Sequence, residues 1–290
     1  MQTTPRMFGT RASVTLVDFL PCSLFWSQSI NGPNHQVRPC IVHHSKSLKL
    51  PRSFKMSILP TRVFAGATIP DTPLITKALE YTRAHSTDYA FNHIQRSLVF
   101  GFIMAAKIPA LADRDLEVHA IAAIMHDIGW DPTGELISKD KRFEVDGADA
   151  AREFLRKEAP DWDKHRLQLV WDAIALHTIG TIVFHKEAEV QAVAYGIWAD
   201  FQGPDRIEGN LLTWDEYNVV VAELPRLSLM KGLKRMMCYF CETKPATTMD
   251  NTVGDWGDKF VKDYDRTGKL TCDLLLTCDL DGKTLLEDPI

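Results

Sequence analysis

Cysteine is sparse in this 290-residue chain: six residues, at positions 22, 40, 238, 241, 272 and 278. They are too few and too scattered to staple a fold of this length. A disulfide scaffold is therefore excluded, and a reduced, intracellular protein is expected. Cys238 and Cys241 form C-x-x-C, but no second pair stands at zinc-ribbon spacing. Their helical, apolar surroundings, "LKRMMCYFCE", read as core. Long apolar runs are missing too: none reaches the ~20 residues that span a bilayer. Charge of one sign is not in excess. The formal net charge is −5 and the pI about 6.1, which points to neither nucleic acid nor an acidic membrane as a partner. Alternating strand patterns are nearly absent. So is acid in residues 1–58, where Asp18 stands alone against seven Lys and Arg.

What is present is 45% hydrophobic and 24% charged, enough apolar material for a full core. Residues 1–58 are basic, bear Ser, Pro and Asn, and sustain no period. They read as a disordered or leader extension and are set apart from the fold. A mitochondrial presequence is the rival reading, and the cytoplasm is the expected location.

From Thr72 the pattern turns helical. Thr72 and Pro73 make a cap and a first helical residue for "PLITKALEYTRAH". Phe91, Ile94, Leu98, Phe102 and Ala105 recur every three or four residues. "DRDLEVHAIAAIMHDIG" carries acids in its first turn and ends at Gly129. A polar loop covers 130–145, after which Asp146 caps the next helix, with Asp149 three residues on. Further stripes run through Leu167, Val170 and Ile174, and through Val190, Val193, Ile197 and Phe201 up to Gly203-Pro204. "TWDEYNVVVAELPR" and "LSLMKGLKRMMCYFCE" supply two more helices. The expected fold is all-α, a helical domain over 68–245. A tail, 246–290, packs on it; "DKFVKDY" offers one last helix.

The segment "HAIAAIMHDIGWD", residues 119–131, sets His126 and Asp127 side by side at the end of an apolar helix. Burying such groups without partners costs roughly 2–7 kcal/mol each, and more for a charge. Either they are solvated at a helix end or they share a strong partner. Neighbouring helical residues point about 100° apart, so only at a terminus do both lean toward one point. An imidazole and a carboxylate there suit Zn²⁺, Fe²⁺, Mn²⁺ or Ni²⁺. His93 lies off the Phe91/Ile94/Leu98 stripe on a neighbouring face. Asp200 lies at a helix C-terminus, where the macrodipole opposes an acid, so a compensating cation is expected.

The order H…HD…D on successive helices, with "HDIG" intact, resembles the HD-domain metalloenzyme superfamily. "IPDTPLITKALEYTRAHSTDYAFNHIQRSLVFG", "FEVDGADAAREFL", "WDAIALHT" and "GIWADFQGP" resemble its fungal cyanamide-hydratase-type branch, over roughly residues 68–245. The resemblance implies a divalent transition metal, zinc foremost, held by His93, His126, Asp127 and Asp200. It also implies water activated for attack on a small substrate. In this branch the attack falls on a nitrile carbon; in phosphohydrolase branches it falls on phosphorus.

Other residues carry open alternatives. His177, three after Ile174, reads as a further ligand, a second-metal ligand, a substrate donor or a core histidine bonded to a carbonyl. Arg96, three after His93, would hold an anionic substrate, orient Asp127 or form a plain ion pair. Glu144 is the candidate general acid or base, with Asp131 its rival. His119 reads as structural, and His165 and His185 as solvated. A phosphate pocket would gather several cations, yet only Arg96, Lys139, Lys141 and Arg142 stand near the motif. The expected activity is therefore a metal-dependent hydratase or C–N hydrolase, with a nucleotide or phosphate-ester phosphohydrolase as the alternative. A non-catalytic module is disfavoured, because idle buried ligands would be unpaired polar groups. The expected partner is a small molecule, with no nucleic acid and no membrane. Self-association into a homo-oligomer is left open.

Overall fold

Thr72 does what its position demands: its hydroxyl accepts from the Ile75 N–H at 3.3 Å, and Pro73 opens the first helix. The computed structural model describes residues 59–277. The expected extension 1–58, Cys22, Cys40, Cys278 and the second "LTCD" lie outside the described residues. Eleven α-helices follow one hairpin: α1 (Pro73–Ala84), α2 (Asp88–Ala105), α3 (Leu116–Met125), α4 (Phe143–Glu158), α5 (Lys164–Leu176), α6 (Gly180–Val183), α7 (Ala188–Gln202), α8 (Trp214–Glu223), α9 (Leu229–Thr243), α10 (Thr252–Phe260) and α11 (Thr271–Thr277). The all-α expectation holds. Among the described residues no helix is long and apolar enough to cross a membrane.

Four local readings are corrected. The sequence reading named no strand at 61–70, yet "TRVFAGATIP" forms a hairpin, β1 (Thr61–Phe64) paired antiparallel with β2 (Ala67–Pro70). Its turn places both Ala65 (φ 44) and Gly66 (φ 85) at positive φ. Such turns usually advertise themselves with Asn-Gly or Asp-Gly, and Ala at the first position hid this one. The helix after the loop starts at Phe143, not after Asp146. Asp146 is already inside its first turn, where its carboxylate accepts from Lys244 Nζ at 2.7 Å and from the Ser138 N–H at 3.1 Å. Asp149 makes no capping box; it takes Trp171 Nε1 and Lys141 Nζ, both at 2.9 Å. "DKFVKDY" does not form a helix of its own. Its first three residues end α10, capped by Asn251, and the chain leaves the helix at Val261.

The core is built around α3, which is apolar on every side: Val118 through Met125 are all buried. A helix hydrophobic all round belongs in the centre, and α1, α2, α5 and α7 surround it. The α2–α7 pair is unusually close because of two glycines. A Cβ on Gly196 would stand 2.0 Å from the Ser97 carbonyl oxygen, and one on Gly101 2.9 Å from the Ala192 carbonyl oxygen. This near-backbone contact brings the start of α2 to the end of α7. Gly129 plays a similar part: its missing Cβ leaves room for the Phe143 carbonyl, 2.1 Å from where that atom would lie. α4 is thereby seated against the turn that follows α3. Cys241 is buried in the α9–α10 cluster and donates to the Val253 carbonyl at 3.3 Å, a packed thiol as expected.

Candidate metal centre

α3 stops at Met125. His126 is its C-cap, and Asp127 has left the helix (φ −107, ψ 18) before a single turn of 3₁₀ helix, Ile128–Trp130. The backbone change falls on Asp127 itself, two residues before Gly129. It turns both side chains toward the start of α2. There His93 Nε2 lies 3.2 Å from His126 Nε2 and 3.4 Å from Asp127 Oδ2, and His126 Nε2 lies 3.1 Å from the same oxygen.

The proton positions follow from the partners. His126 Nδ1 faces the Ala123 carbonyl at 2.8 Å, and His93 Nδ1 faces Asp200 Oδ2 at 2.7 Å. Carbonyls and carboxylates only accept, so both Nδ1 atoms carry a proton, and each ring in its neutral form offers a lone pair at Nε2. With both rings neutral, two lone pairs and a carboxylate oxygen converge, buried, on one point. Such an arrangement is repulsive unless a cation joins it. Donors about 2.0–2.1 Å from a tetrahedral ion stand about 3.3–3.4 Å apart, close to the spacings observed. Asp127 Oδ1 is moreover buried with no hydrogen-bond partner. His93, His126 and Asp127 are a group able to hold a metal ion.

His177, the C-cap of α5, stands on the other side of Asp127. Its Nδ1 donates to the Ile174 carbonyl at 2.7 Å, and its Nε2 faces Asp127 Oδ1 at 3.4 Å. Burial works against the Asp127 charge, but His126 and His177 outweigh it and hold the carboxyl well below the usual range. Burial pushes His126 down, against the pull of Asp127. For His177 burial acts downward as well, yet Asp127 prevails and raises it. Trp130, Phe143 and Phe201 wall the centre with their rings.

Asp200 does not join this group. Its Oδ1 accepts from Arg96 Nε and Arg226 Nη1, both at 2.8 Å, and its Oδ2 from His93 Nδ1 and Arg96 Nη2. The position expected to supply the fourth ligand is thus engaged behind His93. Burial opposes its charge, but His93 and Arg96 hold the carboxyl well below its ordinary value. Of the three readings of Arg96, the ion pair is the one found, with Asp200. It is wholly buried, and its remaining Nη1 donates to the Leu224 and Pro225 carbonyls. Arg226, which also donates to Tyr217 Oη, had no signal in the sequence.

Glu144 is buried in the first turn of α4. Its Oε1 accepts from Thr178 Oγ1 at 2.7 Å and from Arg142 Nη2 at 2.9 Å. Asp131 is taken up by its own loop, accepting from the Thr133 N–H, the Thr133 hydroxyl and the Leu136 N–H. His119 is structural: its ring stacks on Phe102, and its Nδ1 accepts from Arg114 Nε at 3.0 Å. His165 and His185 are exposed.

These features define a helical protein with a buried His-His-Asp group suited to a divalent ion. The family model of the HD domain matches residues 90–194, a span that holds His93, His126, Asp127 and His177 and stops short of Asp200. The match supports a place in the HD-domain superfamily, whose members are generally metal-dependent hydrolases. No curated protein matches the chain.

Proposed function

We propose that this protein is a metal-dependent HD-domain enzyme that activates water for attack on a small, uncharged substrate of the cyanamide or nitrile type, or on a related C–N bond. One observation carries the reading: of the cations that the sequence sets near the motif, all but the exposed Lys139 are spent on the chain's own carboxylates. Arg96 and Arg226 clamp Asp200, Arg142 holds Glu144, Lys141 holds Asp149, and Lys244 holds Asp146. A phosphate dianion would need several free donors of this kind. The access is narrow as well. His93 and His126 are 0% exposed, Asp127 2% and His177 4%.

His93 Nε2, His126 Nε2 and Asp127 Oδ2 would hold the ion, and two imidazoles with one carboxylate suit Zn²⁺ first, then Fe²⁺, Mn²⁺ or Ni²⁺. When bound, such an ion supplies a Lewis acid that brings the pKa of water toward neutrality. Asp200 serves as the hydrogen-bonded carboxylate behind a histidine ligand; it fixes the His93 tautomer and ring orientation and raises the basicity of Nε2. His177 is the proton carrier of this reading. Its Nε2 faces Asp127, its ring is anchored at Nδ1, and it sits beside the centre. Glu144, tied to Arg142 and Thr178, favours a charged His177 through its own charge and is a poor base while so engaged.

The test is a metal-loaded screen of the purified full chain against cyanamide, small nitriles and nucleoside monophosphates, with urea or amide release and phosphate release scored separately. Turnover of the neutral substrates alone is the expected result. Phosphate release with no turnover of the nitriles would overturn the reading.

A further inference from the structure

Away from the metal centre, a cavity of about 390 Å³ opens between the hairpin, the end of α2 and the segment leading into α3. Its volume lies at the small end of the range for small-molecule sites, about 300–1,000 Å³. Ala105, on its wall, is twelve residues beyond His93 on α2, about 18 Å along the axis at 1.5 Å per residue. Most of the lining is apolar, from Phe102, Ala105, Ala106, Ile108, Pro109 and Leu116.

The polar lining is Thr61, Thr68, Lys107 and Arg114, and of these Arg114 stands apart. It is 9% exposed, and among the described residues no carboxylate lies within ion-pair distance of it. Its Nε donates to His119 Nδ1 and its Nη1 to the Leu111 carbonyl at 2.8 Å. Of the five N–H donors of a guanidinium, three therefore make no bond to a described residue. Glu189 is near enough to be felt electrostatically, but its Oε1 is engaged by the Asp115 N–H at 2.7 Å. Lys107 also lines the cavity, yet both oxygens of Glu216 neutralise it, at 2.7 and 2.8 Å. Among the described residues no Asp or Glu lines the cavity.

A nearly buried guanidinium without an anion is costly, and a planar fork matches a carboxylate. We propose that this cavity binds a small organic monocarboxylate with an apolar body, its carboxylate on Arg114 and its body against Phe102 and the α2 end. One available cation and a mostly hydrocarbon wall suit a monoanion and do not suit a phosphate or a sugar acid.

The test uses calorimetric titration of the full chain with benzoate, with benzamide and inorganic phosphate as comparisons. It is run on both chelated and metal-loaded protein, so that the outcome is independent of the metal centre and of activity. Benzoate is expected to bind, and benzamide and phosphate at least about tenfold more weakly, the loss of one charge-assisted bond of about 1.4 kcal/mol or more. Arg114→Gln should lose at least tenfold for benzoate. Ala106→Phe, which enlarges an exposed residue of the cavity wall and leaves Arg114 itself in place, should abolish binding while leaving the thermal transition unchanged. Absence of benzoate binding in the wild type would overturn the proposal. So would undiminished binding in Ala106→Phe, or phosphate binding as tightly as benzoate.

Discussion

Replacing Asp200 by Asn tests how the centre is held together, because the change keeps shape and removes only charge and one acceptor. Four donors converge on the carboxylate: Arg96 Nε and Arg226 Nη1 on Oδ1, His93 Nδ1 and Arg96 Nη2 on Oδ2, at 2.7–2.8 Å. An amide keeps one oxygen, so two of the four contacts survive and the other two donors face an NH₂ group. Bonds to charged groups contribute about 1.5–3 kcal/mol each, which makes the loss about 3–6 kcal/mol. Breaking a buried ion pair from one side independently costs about 3–5 kcal/mol, since Arg96 is left charged, buried and half-partnered. Both routes give a large share of the ~5–15 kcal/mol that holds a domain folded. The assay is urea unfolding of chelator-treated protein followed by tryptophan fluorescence, for wild type, Asp200→Asn, Arg96→Met and the double variant. The double variant should be more stable than the sum of the single losses predicts, by about 0.5–3 kcal/mol. A loss in Asp200→Asn under about 1 kcal/mol, the worth of an exposed pair, would refute the reasoning, as would strict additivity.

The other expectations are more local. His126→Ala removes one of three converging donors, so metal analysis of purified protein should find about one equivalent in wild type and none in the variant; retained metal would show the ligand set to be wrong. Chelation of wild-type protein should lower the thermal midpoint, because a ligand at 1,000 times its Kd stabilises by about 4 kcal/mol, and an unchanged midpoint would argue against a metal held in the native state. Gly196→Ala would set a Cβ 2.0 Å from the Ser97 carbonyl oxygen and 2.7 Å from the Gly101 nitrogen, backbone atoms that cannot step aside. It should cost about 1–3 kcal/mol or more in chemical denaturation; a neutral result would mean that α2 and α7 slide freely. Burial, with Arg114 adding to it, holds the His119 pKa well below 6.5. The unfolded chain then takes up a proton that the folded one does not, so this contribution is complete above pH 6.5 and is lost as pH falls below it. The slope should approach about 1.4 kcal/mol per pH unit, and His119→Gln should flatten it in stability measured from pH 7 to pH 5.

Much of this was legible along the chain. Local periodicity marks α1, α2, α5, α7, α8 and α9, because one apolar face at 3.6-residue spacing is a property of the segment alone, and an unbroken apolar run marks α3. Thr72-Pro73 and Gly203-Pro204 mark two boundaries for the same reason, since cap chemistry and φ preference are local. The pairing of His126 with Asp127 at a helix end was readable as well, and with it the expectation of a cation. The hairpin was less so, because Ala65 stands where a turn of this kind normally shows Asn or Asp. The start of α4 was misjudged because Asp146 looks like a cap when it is in fact the buried partner of Lys244, nearly a hundred residues away.

The candidate site divides along the same line. Residue type and spacing determined which groups were fit for the chemistry: histidines and carboxylates on separate helices, with few cations nearby. Only the tertiary structure decided what each one does. Asp200 and Arg96 carry no mark in their own segments of being bound to each other, and Arg226 carries no mark at all. Their roles follow from the glycine contact that presses α2 against α7. A side chain's partner is set by what the rest of the chain brings within 3 Å of it, and that distance is written in no local stretch of sequence.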